Sequence, residues 1–224
     1  MYKYLYGKKQ NLQGWIDGKQ GIRLSDIACY SKMENLRMRD NELAKELIFD
    51  KEQITLTING RTLNSREMSA NPVMTLYPER CFCVCLSGKK DDPVLYERFE
   101  SDTCIEVDVE HLVELLKAVF TPFEGVEVIH REVNYYPPVM ASPAPDSISA
   151  LFYKRDIYEV ENEYRVAVTI PAHRKFFKDT NGDNMAIFSD DPNDMRHMFV
   201  NGANPESNLS YVASVCSKKK IVSV

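Results

Sequence analysis

The most informative stretch of this chain is Tyr158-Glu159-Val160-Glu161-Asn162-Glu163-Tyr164-Arg165-Val166-Ala167-Val168-Thr169-Ile170. Apolar and charged residues alternate along it, which indicates a β-strand, because successive side chains of a strand point to opposite faces. The apolar positions would face the core: Tyr164, Val166, Val168 and Ile170. The charged positions would line the other face, at intervals of roughly 7 Å: Glu159, Glu161, Glu163 and Arg165. Such a row of carboxylates is either a solvated edge or part of a site, because like charges on one face repel one another.

Length and composition indicate one soluble α+β domain that covers residues 1–224. Hydrophobic residues make up 44% and charged residues 27% of the chain, which are ordinary values for a globular protein with a sizeable core. The net charge of −5 argues against a general nucleic-acid binder, which would need a basic face. The N-terminus lacks the apolar core of a secretory signal, and no apolar run is long enough for a membrane helix. We therefore expect a cytoplasmic protein without a membrane partner.

The cysteines favour free thiols. Cys81, Cys83 and Cys85 alternate within one apolar run, so their side chains would share one face of a strand. This spacing favours neither a disulfide framework nor the Cys-x-x-Cys knuckle of a zinc site. Buried thiols in a reducing compartment are the expectation.

Helix and strand signals are mixed along the chain without a βαβ rhythm, which predicts an α+β fold. The periodicity of residues 38–49 predicts an amphipathic helix from Met38 to Phe49, with Glu42 pointing mostly outward. Asn59-Gly60 predicts a tight hairpin turn between two short strands. Asp108 is expected to cap a helix that runs from Val109 to Phe120.

The chain has no glycine-rich phosphate loop, no His-Glu-x-x-His and no Gly-x-Ser-x-Gly, so its candidate chemistry depends on the acidic row. Two carboxylates two residues apart can divide the work at an anomeric carbon: one stabilises developing positive charge and the other orients the attacking group. A strand-end serine such as Ser87 can hold a ribose or a backbone turn, and an arginine can bind a diphosphate. The alternative is a charged outer strand on which Arg165 merely bridges Glu163.

Three pieces of sequence, in this order, carry a resemblance over roughly residues 1–170. They are Tyr2-Lys3-Tyr4-Leu5 with Gly21-Ile22-Arg23-Leu24-Ser25; Cys83-Val84-Cys85-Leu86-Ser87 with Cys104-Ile105-Glu106-Val107-Asp108; and Phe152-Tyr153-Lys154 with Glu161-Asn162-Glu163-Tyr164-Arg165. In this order the chain resembles the bacterial and phage proteins of domain-of-unknown-function family 2971. The same layout is similar to the ADP-ribosyltransferase fold, a split and largely antiparallel β-sheet with flanking helices that cleaves NAD.

The resemblance implies roles for six residues. Glu163 would be the catalytic glutamate, and Glu161 would complete a Glu-x-Glu pair. Tyr4 or Arg23, Ser87 and also Arg165 would bind NAD, the co-substrate. The expected function is transfer of ADP-ribose from NAD to a macromolecular acceptor, such as a protein, through an oxocarbenium-like state.

Two other functions stay open at this point. The first is a non-catalytic interaction module of a phage or a bacterial defence system, which would bind a host protein through the acidic strand and through Tyr135, Tyr136 and Phe177. The second is a metal-dependent hydrolase or nuclease whose ligands would come from Glu106, Asp108 and the run from Glu159 to Glu163.

Overall fold

The computed structural model describes residues 1–32, 40–141, 143–178, 181–189, 191 and 194–217. The α-helices of this part are α1 (Lys9–Ile16), α2 (Pro93–Arg98), α3 (Val109–Phe120) and α4 (Pro205–Leu209). The strands are β1 (Tyr2–Gly7), β2 (Ile22–Asp26), β3 (Lys45–Ile48), β4 (Leu56–Ile58), β5 (Arg61–Leu63), β6 (Val73–Leu76), β7 (Cys81–Ser87), β8 (Thr103–Asp108), β9 (Glu127–Glu132), β10 (Asn134–Tyr136), β11 (Tyr153–Arg155), β12 (Glu163–Thr169), β13 (Phe176–Lys178), β14 (Asn184–Ala186), β15 (His197–Val200) and β16 (Val212–Ser217). Short 3-10 helices cover Ile27–Lys32, Ser65–Glu67, Ser149–Phe152 and Asp156–Glu161. The predicted α+β class is confirmed.

Eight strands form the main sheet of the described residues, and they pair antiparallel. β12 pairs with one edge of β7 along its full length, from Glu163 opposite Ser87 to Thr169 opposite Cys81. The other edge of β7 is shared: β1 pairs with it at Ser87, whereas β2 pairs with it at Cys83 and Phe82. β1 and β2 therefore diverge between these points, and the sheet is split there.

The main core lies on one face of the sheet, under α1 and α3. Asp108 caps α3 as predicted, because its carboxylate accepts hydrogen bonds from the backbone N–H groups of Glu110 and His111. The predicted inward row of β12 belongs to this core: Tyr164, Val166, Val168 and Ile170.

The other face of the sheet is also covered, which the alternating pattern did not predict. Cys81 and Cys83 of β7 pack there with Ala167 of β12 and with Leu151 and Phe152 of a 3-10 helix. β12 is consequently buried on both faces along its whole length. The charged residues at its start cannot lie on a solvated edge.

The helix expected from Met38 to Phe49 is wrong over residues 40–49. Residues 33–39 lie outside the part of the chain that the structure describes. Residues 40–44 are not helical, and Lys45–Ile48 is strand β3, which pairs with β6. The hydrophobic pattern misled because the buried positions include charged residues: Glu42 and Lys45 are 1% and 3% exposed, whereas Leu43 is 36% exposed. A partner elsewhere in the chain must neutralise such buried charges.

The predicted hairpin is confirmed. Leu56–Ile58 pairs antiparallel with Arg61–Leu63, and the turn residues Asn59 and Gly60 both adopt positive φ, at 51° and 79°. This is the backbone that an Asn-Gly turn favours. The sequence also predicts a last strand from Lys219 to Val224, and this segment lies outside the described residues. Within the part of the chain that the structure covers, no helix has both the length and the apolar character to cross a bilayer.

Candidate functional site

A cavity of about 200 Å³ lies where the main sheet splits, and we call it the carboxylate cavity. Its lining comes from five segments that are far apart in sequence: Tyr4, Leu5, Tyr6, Arg23, Tyr30, Cys85, Leu86, Ser87, Phe99, Lys154, Glu161 and Glu163. Five of the six predicted site residues are among them: Tyr4, Arg23, Ser87, Glu161 and Glu163. Arg165 is not. The structure thus brings most of the predicted set into one hollow, while the role of each residue stays a prediction.

The backbone at Asn162 sets the position of the two glutamates. The strand predicted from Tyr158 onward is wrong at its start, because Asp156–Glu161 forms a 3-10 helix and β12 begins only at Glu163. Asn162 adopts the left-handed conformation with φ of 44°, which asparagine tolerates better than most residues. Its carbonyl accepts the Gly88 N–H at 2.7 Å, and this anchors the bend to the end of β7. Glu161 and Glu163 therefore approach the cavity from two different elements.

Glu163 is a buried and ionised carboxylate, 5% exposed. Its Oε1 accepts a hydrogen bond from Arg165 Nε at 2.8 Å and lies 2.7 Å from Arg165 Nη2 in the same ion pair. Its Oε2 accepts a hydrogen bond from Lys154 Nζ at 3.0 Å. Burial alone would raise the pKa of Glu163, but the charges of Arg165 and Lys154 outweigh it and lower the pKa to about 2. Glu163 is therefore a permanent anion near neutral pH, suited to stabilising positive charge and unsuited to donating a proton.

Lys154 joins the two glutamates. Its Nζ donates to Glu161 Oε2 at 2.7 Å as well as to Glu163, and it lies 4.6 Å from the centre of the Tyr158 ring. Glu161 Oε1 accepts a further hydrogen bond from Arg98 Nε at 2.8 Å. A carboxylate has about four lone-pair positions. Glu161 therefore keeps acceptor capacity for a ligand in the cavity.

Arg165 lies behind Glu163 and acts through it, which corrects its predicted place among the ligand-binding residues. It is 1% exposed, and its Nη2 and Nη1 donate to Glu42 Oε1 at 2.7 Å and Oε2 at 3.1 Å, in the bidentate geometry that arginine favours. Glu42 also accepts from Lys45 Nζ at 2.9 Å, so it is buried and paired rather than outward as predicted. The result is a charge network that alternates in sign: Lys45, Glu42, Arg165, Glu163, Lys154, Glu161 and Arg98.

Ser87 and Tyr4 are adjacent on paired strands at the cavity wall. The Ser87 hydroxyl donates to the Glu161 carbonyl at 2.7 Å and accepts the Lys89 N–H at 3.1 Å. Ser87 therefore holds the backbone turn that carries Glu161, which is one of its two predicted roles. The Tyr4 ring lies 5.8 Å from Lys90 Nζ, and Lys90 pairs with Glu106.

Arg23 differs from the other cations of the site, because it is exposed and no described residue accepts a hydrogen bond from its guanidinium. It lines the carboxylate cavity and also a second cavity of about 600 Å³, which we call the adjoining cavity. The lining of the adjoining cavity includes Lys8, Asn11, Trp15, Gln20, Arg23 and Phe199. The Lys8 ammonium likewise pairs with none of the residues that the structure describes. Both cavities lie between β1 and β2, and Arg23 is one of six lining residues that they share.

Sequence reasoning missed the other seven lining residues, which include the three aromatic rings of Tyr6, Tyr30 and Phe99 and the cation Lys154. Tyr6 packs edge-on against Tyr96 with ring centroids 5.2 Å apart, and it also contacts Phe99. Tyr30 lines both cavities from its 3-10 helix. Lys154 carried one usable signal, a cation directly after the run Ala150-Leu151-Phe152-Tyr153 and shortly before the acidic row.

Because of the charge network, the free energy of unfolding depends on pH in the acidic range. The unfolded chain takes up a proton at Glu163 near the ordinary pKa of 4.5, whereas the folded chain resists protonation down to about 2. The stabilisation is therefore complete above about pH 5 and is lost as the pH falls toward about 2, by an amount on the order of 3 kcal/mol. Urea unfolding at a series of pH values between these limits measures it. In Glu163→Gln the free energy of unfolding should fall less steeply over this pH range. An equally steep fall in that variant would contradict the lowered pKa of Glu163.

Two of the predicted metal ligands have other partners: Glu106 pairs with Lys90, and Asp108 caps α3. Within residues 1–32, 40–141, 143–178 and the later described ranges, no group of three or more His, Cys, Asp or Glu side chains is arranged to hold a metal ion. The metal-dependent alternative thus has no supporting observation here. Comparison of the chain with models of protein families, with curated proteins and with solved structures finds no match.

Proposed function

We propose that this protein is an NAD-consuming enzyme that transfers ADP-ribose to a macromolecular acceptor. The proposal rests on two residues of one cavity: the buried Glu163, whose pKa is lowered, and Arg23, whose guanidinium donates no hydrogen bond to any residue that the structure describes. NAD needs such a pair, because its reacting ribose becomes positively charged while its diphosphate is already negative. The tyrosine and phenylalanine rings of the lining offer apolar surface for the bases.

Glu163 would bind the hydroxyl groups of the nicotinamide ribose through Oε2 and stabilise the charge on its anomeric carbon. The bond between this carbon and the nicotinamide nitrogen breaks, and its electron pair leaves with nicotinamide. A fixed anion inside a site shielded from water stabilises the resulting oxocarbenium-like state more than bulk water can. Arg165 and Lys154 prevent Glu163 from taking up a proton and so keep the negative charge available.

Glu161 would orient the acceptor. The acceptor nucleophile forms the new bond to the anomeric carbon and gives up one proton, for which Glu161 is the nearest carboxylate other than Glu163 in the lining. Arg98 and Lys154 hold Glu161 on both oxygens, so its position is fixed before the acceptor arrives.

Arg23 would bind the diphosphate, because it lines both cavities and none of the described residues accepts a hydrogen bond from its guanidinium. The nicotinamide riboside would occupy the carboxylate cavity, and the adenosine would occupy the adjoining cavity beside Trp15 and Phe199. With volumes of about 200 and 600 Å³, the two cavities together reach the size of known small-molecule sites.

Arg23→Ala is expected to weaken NAD binding by roughly tenfold or more with little loss of stability, because a charge-assisted contact to phosphate is removed while no hydrogen bond between the guanidinium and a described residue is broken. Trp15 is the one tryptophan of the sequence and lines the adjoining cavity, so its fluorescence can follow the titration. Arg66→Ala is the matched control, since Arg66 is an exposed arginine that lines neither cavity. Equal affinity of wild type and Arg23→Ala would contradict this role for Arg23.

The interaction module gains no support from the surface that was expected to form it. Glu161 and Glu163 are 4% and 5% exposed, and Tyr136 is 7% exposed. The Tyr135 hydroxyl accepts the Glu163 N–H at 2.7 Å, and the Phe177 ring packs edge-on against Phe123. These side chains contact other residues of the protein instead of forming an exposed binding surface.

A further inference from the structure

Cys104 and Cys216 lie directly opposite each other on neighbouring antiparallel strands, Cys104 on β8 and Cys216 on β16. Paired residues of an antiparallel ladder project from the same face, and their Cα atoms are about 4.5 to 5.5 Å apart. This range falls within the Cα separations that a disulfide bridges.

The two cysteines differ in accessibility. Cys104 is fully buried, whereas Cys216 is half-buried on β16, a strand at the edge of the main sheet. Burial raises the pKa of the Cys104 thiol to about 11. An oxidant in solution therefore meets Cys216 first, and Cys104 is held in place to react second.

The other four cysteines lack this geometry. Cys81, Cys83 and Cys85 follow one another at every second position of β7, so neighbouring members point in parallel from Cα atoms nearly 7 Å apart. The Cys29 thiol donates to the Arg196 carbonyl at 3.7 Å.

We propose that Cys104 and Cys216 are a modification site, a dithiol that a low-molecular-weight disulfide such as oxidised glutathione converts into a cross-strand disulfide. In the first step the Cys216 thiol loses its proton and attacks one sulfur of oxidised glutathione, which forms a mixed disulfide and releases one glutathione. In the second step the Cys104 thiol loses its proton and attacks the Cys216 sulfur, which forms the bond between the strands and releases the second glutathione. The protein is oxidised by two electrons, and one oxidised glutathione becomes two reduced molecules.

The bond would fasten the edge strand to the sheet beside the carboxylate cavity. β8 pairs with β1 on its other edge, where Cys104 is opposite Tyr6, and Tyr6 lines the carboxylate cavity. This inference does not depend on the proposed NAD chemistry, because it concerns only the two thiols and the strands that carry them.

The test is to incubate the full chain with oxidised glutathione, alkylate the remaining thiols and map the peptides by mass spectrometry without reduction. We expect a peptide pair joined through Cys104 and Cys216, with a mass decrease of two hydrogen atoms, and a melting temperature higher by roughly 5 to 10 °C. Cys216→Ser should lose both effects, and Cys29→Ser, the matched control, should keep both.

The proposal is overturned if both thiols of the wild-type chain are recovered alkylated. It is also overturned if Cys216 is joined to another cysteine or to a second chain, which non-reducing electrophoresis detects. The mapping uses the wild-type chain, so a variant that fails to fold does not affect the result.

Discussion

Glu163→Gln is expected to lower the rate of nicotinamide release from NAD by about a thousandfold, because the amide carries no charge to stabilise the oxocarbenium-like state. The substitution is nearly isosteric, so the shape of the carboxylate cavity is kept. Chromatography of free nicotinamide after incubation with NAD measures the rate directly. A rate equal to that of the wild type would end the proposal that Glu163 is catalytic.

Glu163→Gln also removes a buried anion from beside Arg165 and Lys154, which changes stability. A control variant is therefore needed to separate the effect on stability from the effect on the reaction. Glu42→Gln removes the other anion that contacts Arg165, at a position outside the cavity lining. We expect this control to be destabilised similarly but to lose roughly tenfold in rate, since an outer partner acts only through orientation. Equal loss of rate in the two variants would show that stability, rather than the chemistry at Glu163, sets the activity.

Arg165→Met is expected to lower the free energy of unfolding by about 3 to 5 kcal/mol, the typical cost of removing one partner from a buried ion pair. The substitution leaves Glu42 and Glu163 buried and facing each other without the cation between them. Urea unfolding at neutral pH measures the loss.

Arg131→Met is the matched control for this prediction. Arg131 is the register partner of Arg165 on β9, but it is exposed, and its guanidinium lies 4.4 Å from the centre of the Phe152 ring. Loss of such an exposed cation should cost about 1 kcal/mol or less. If Arg165→Met costs no more than Arg131→Met, the charge network does not stabilise the fold.

The sheet could be predicted because its strands carry local signals. The apolar alternation from Tyr164 to Ile170 placed the inward face of β12 correctly, and Asn59-Gly60 placed the hairpin. Asp108 marked the start of α3. In each case the determining residues lie next to one another in the chain.

The contact between Arg165 and Glu163 was foreseen as one alternative, but the rest of the charge network could not be predicted, because its decisive contact joins residues that are distant in sequence. Arg165 pairs with Glu42, 123 residues away, and nothing near Glu42 in the sequence indicates that it pairs with a buried cation. Periodicity therefore placed Glu42 on the outside of a helix that does not exist over the described residues. The contacts of Lys154 with Glu161 and Glu163 are closer in sequence, at separations of 7 and 9 residues, and they were hidden because residues 158–163 were taken for a strand.

The alternating pattern around Asn162 predicted a continuous strand, whereas the chain bends at this residue. Residues 158–163 alternate as a strand does, yet Asn162 turns the chain, and its carbonyl accepts the hydrogen bond from Gly88. Asparagine inside the acidic row was the one available signal for a left-handed residue. Because of this bend, Glu161 and Glu163 lie on two elements and are joined by Lys154.

The central claim is that the carboxylate cavity cleaves NAD and passes ADP-ribose to a macromolecule. The most direct test is incubation of the wild-type chain with NAD labelled on its adenine in a bacterial lysate, with Glu163→Gln in parallel. We expect label in the macromolecular fraction and free nicotinamide with the wild type, and neither with the variant. A folded wild-type chain that releases no nicotinamide and transfers no label, while a host protein co-purifies with it, would contradict the account and favour a binding module.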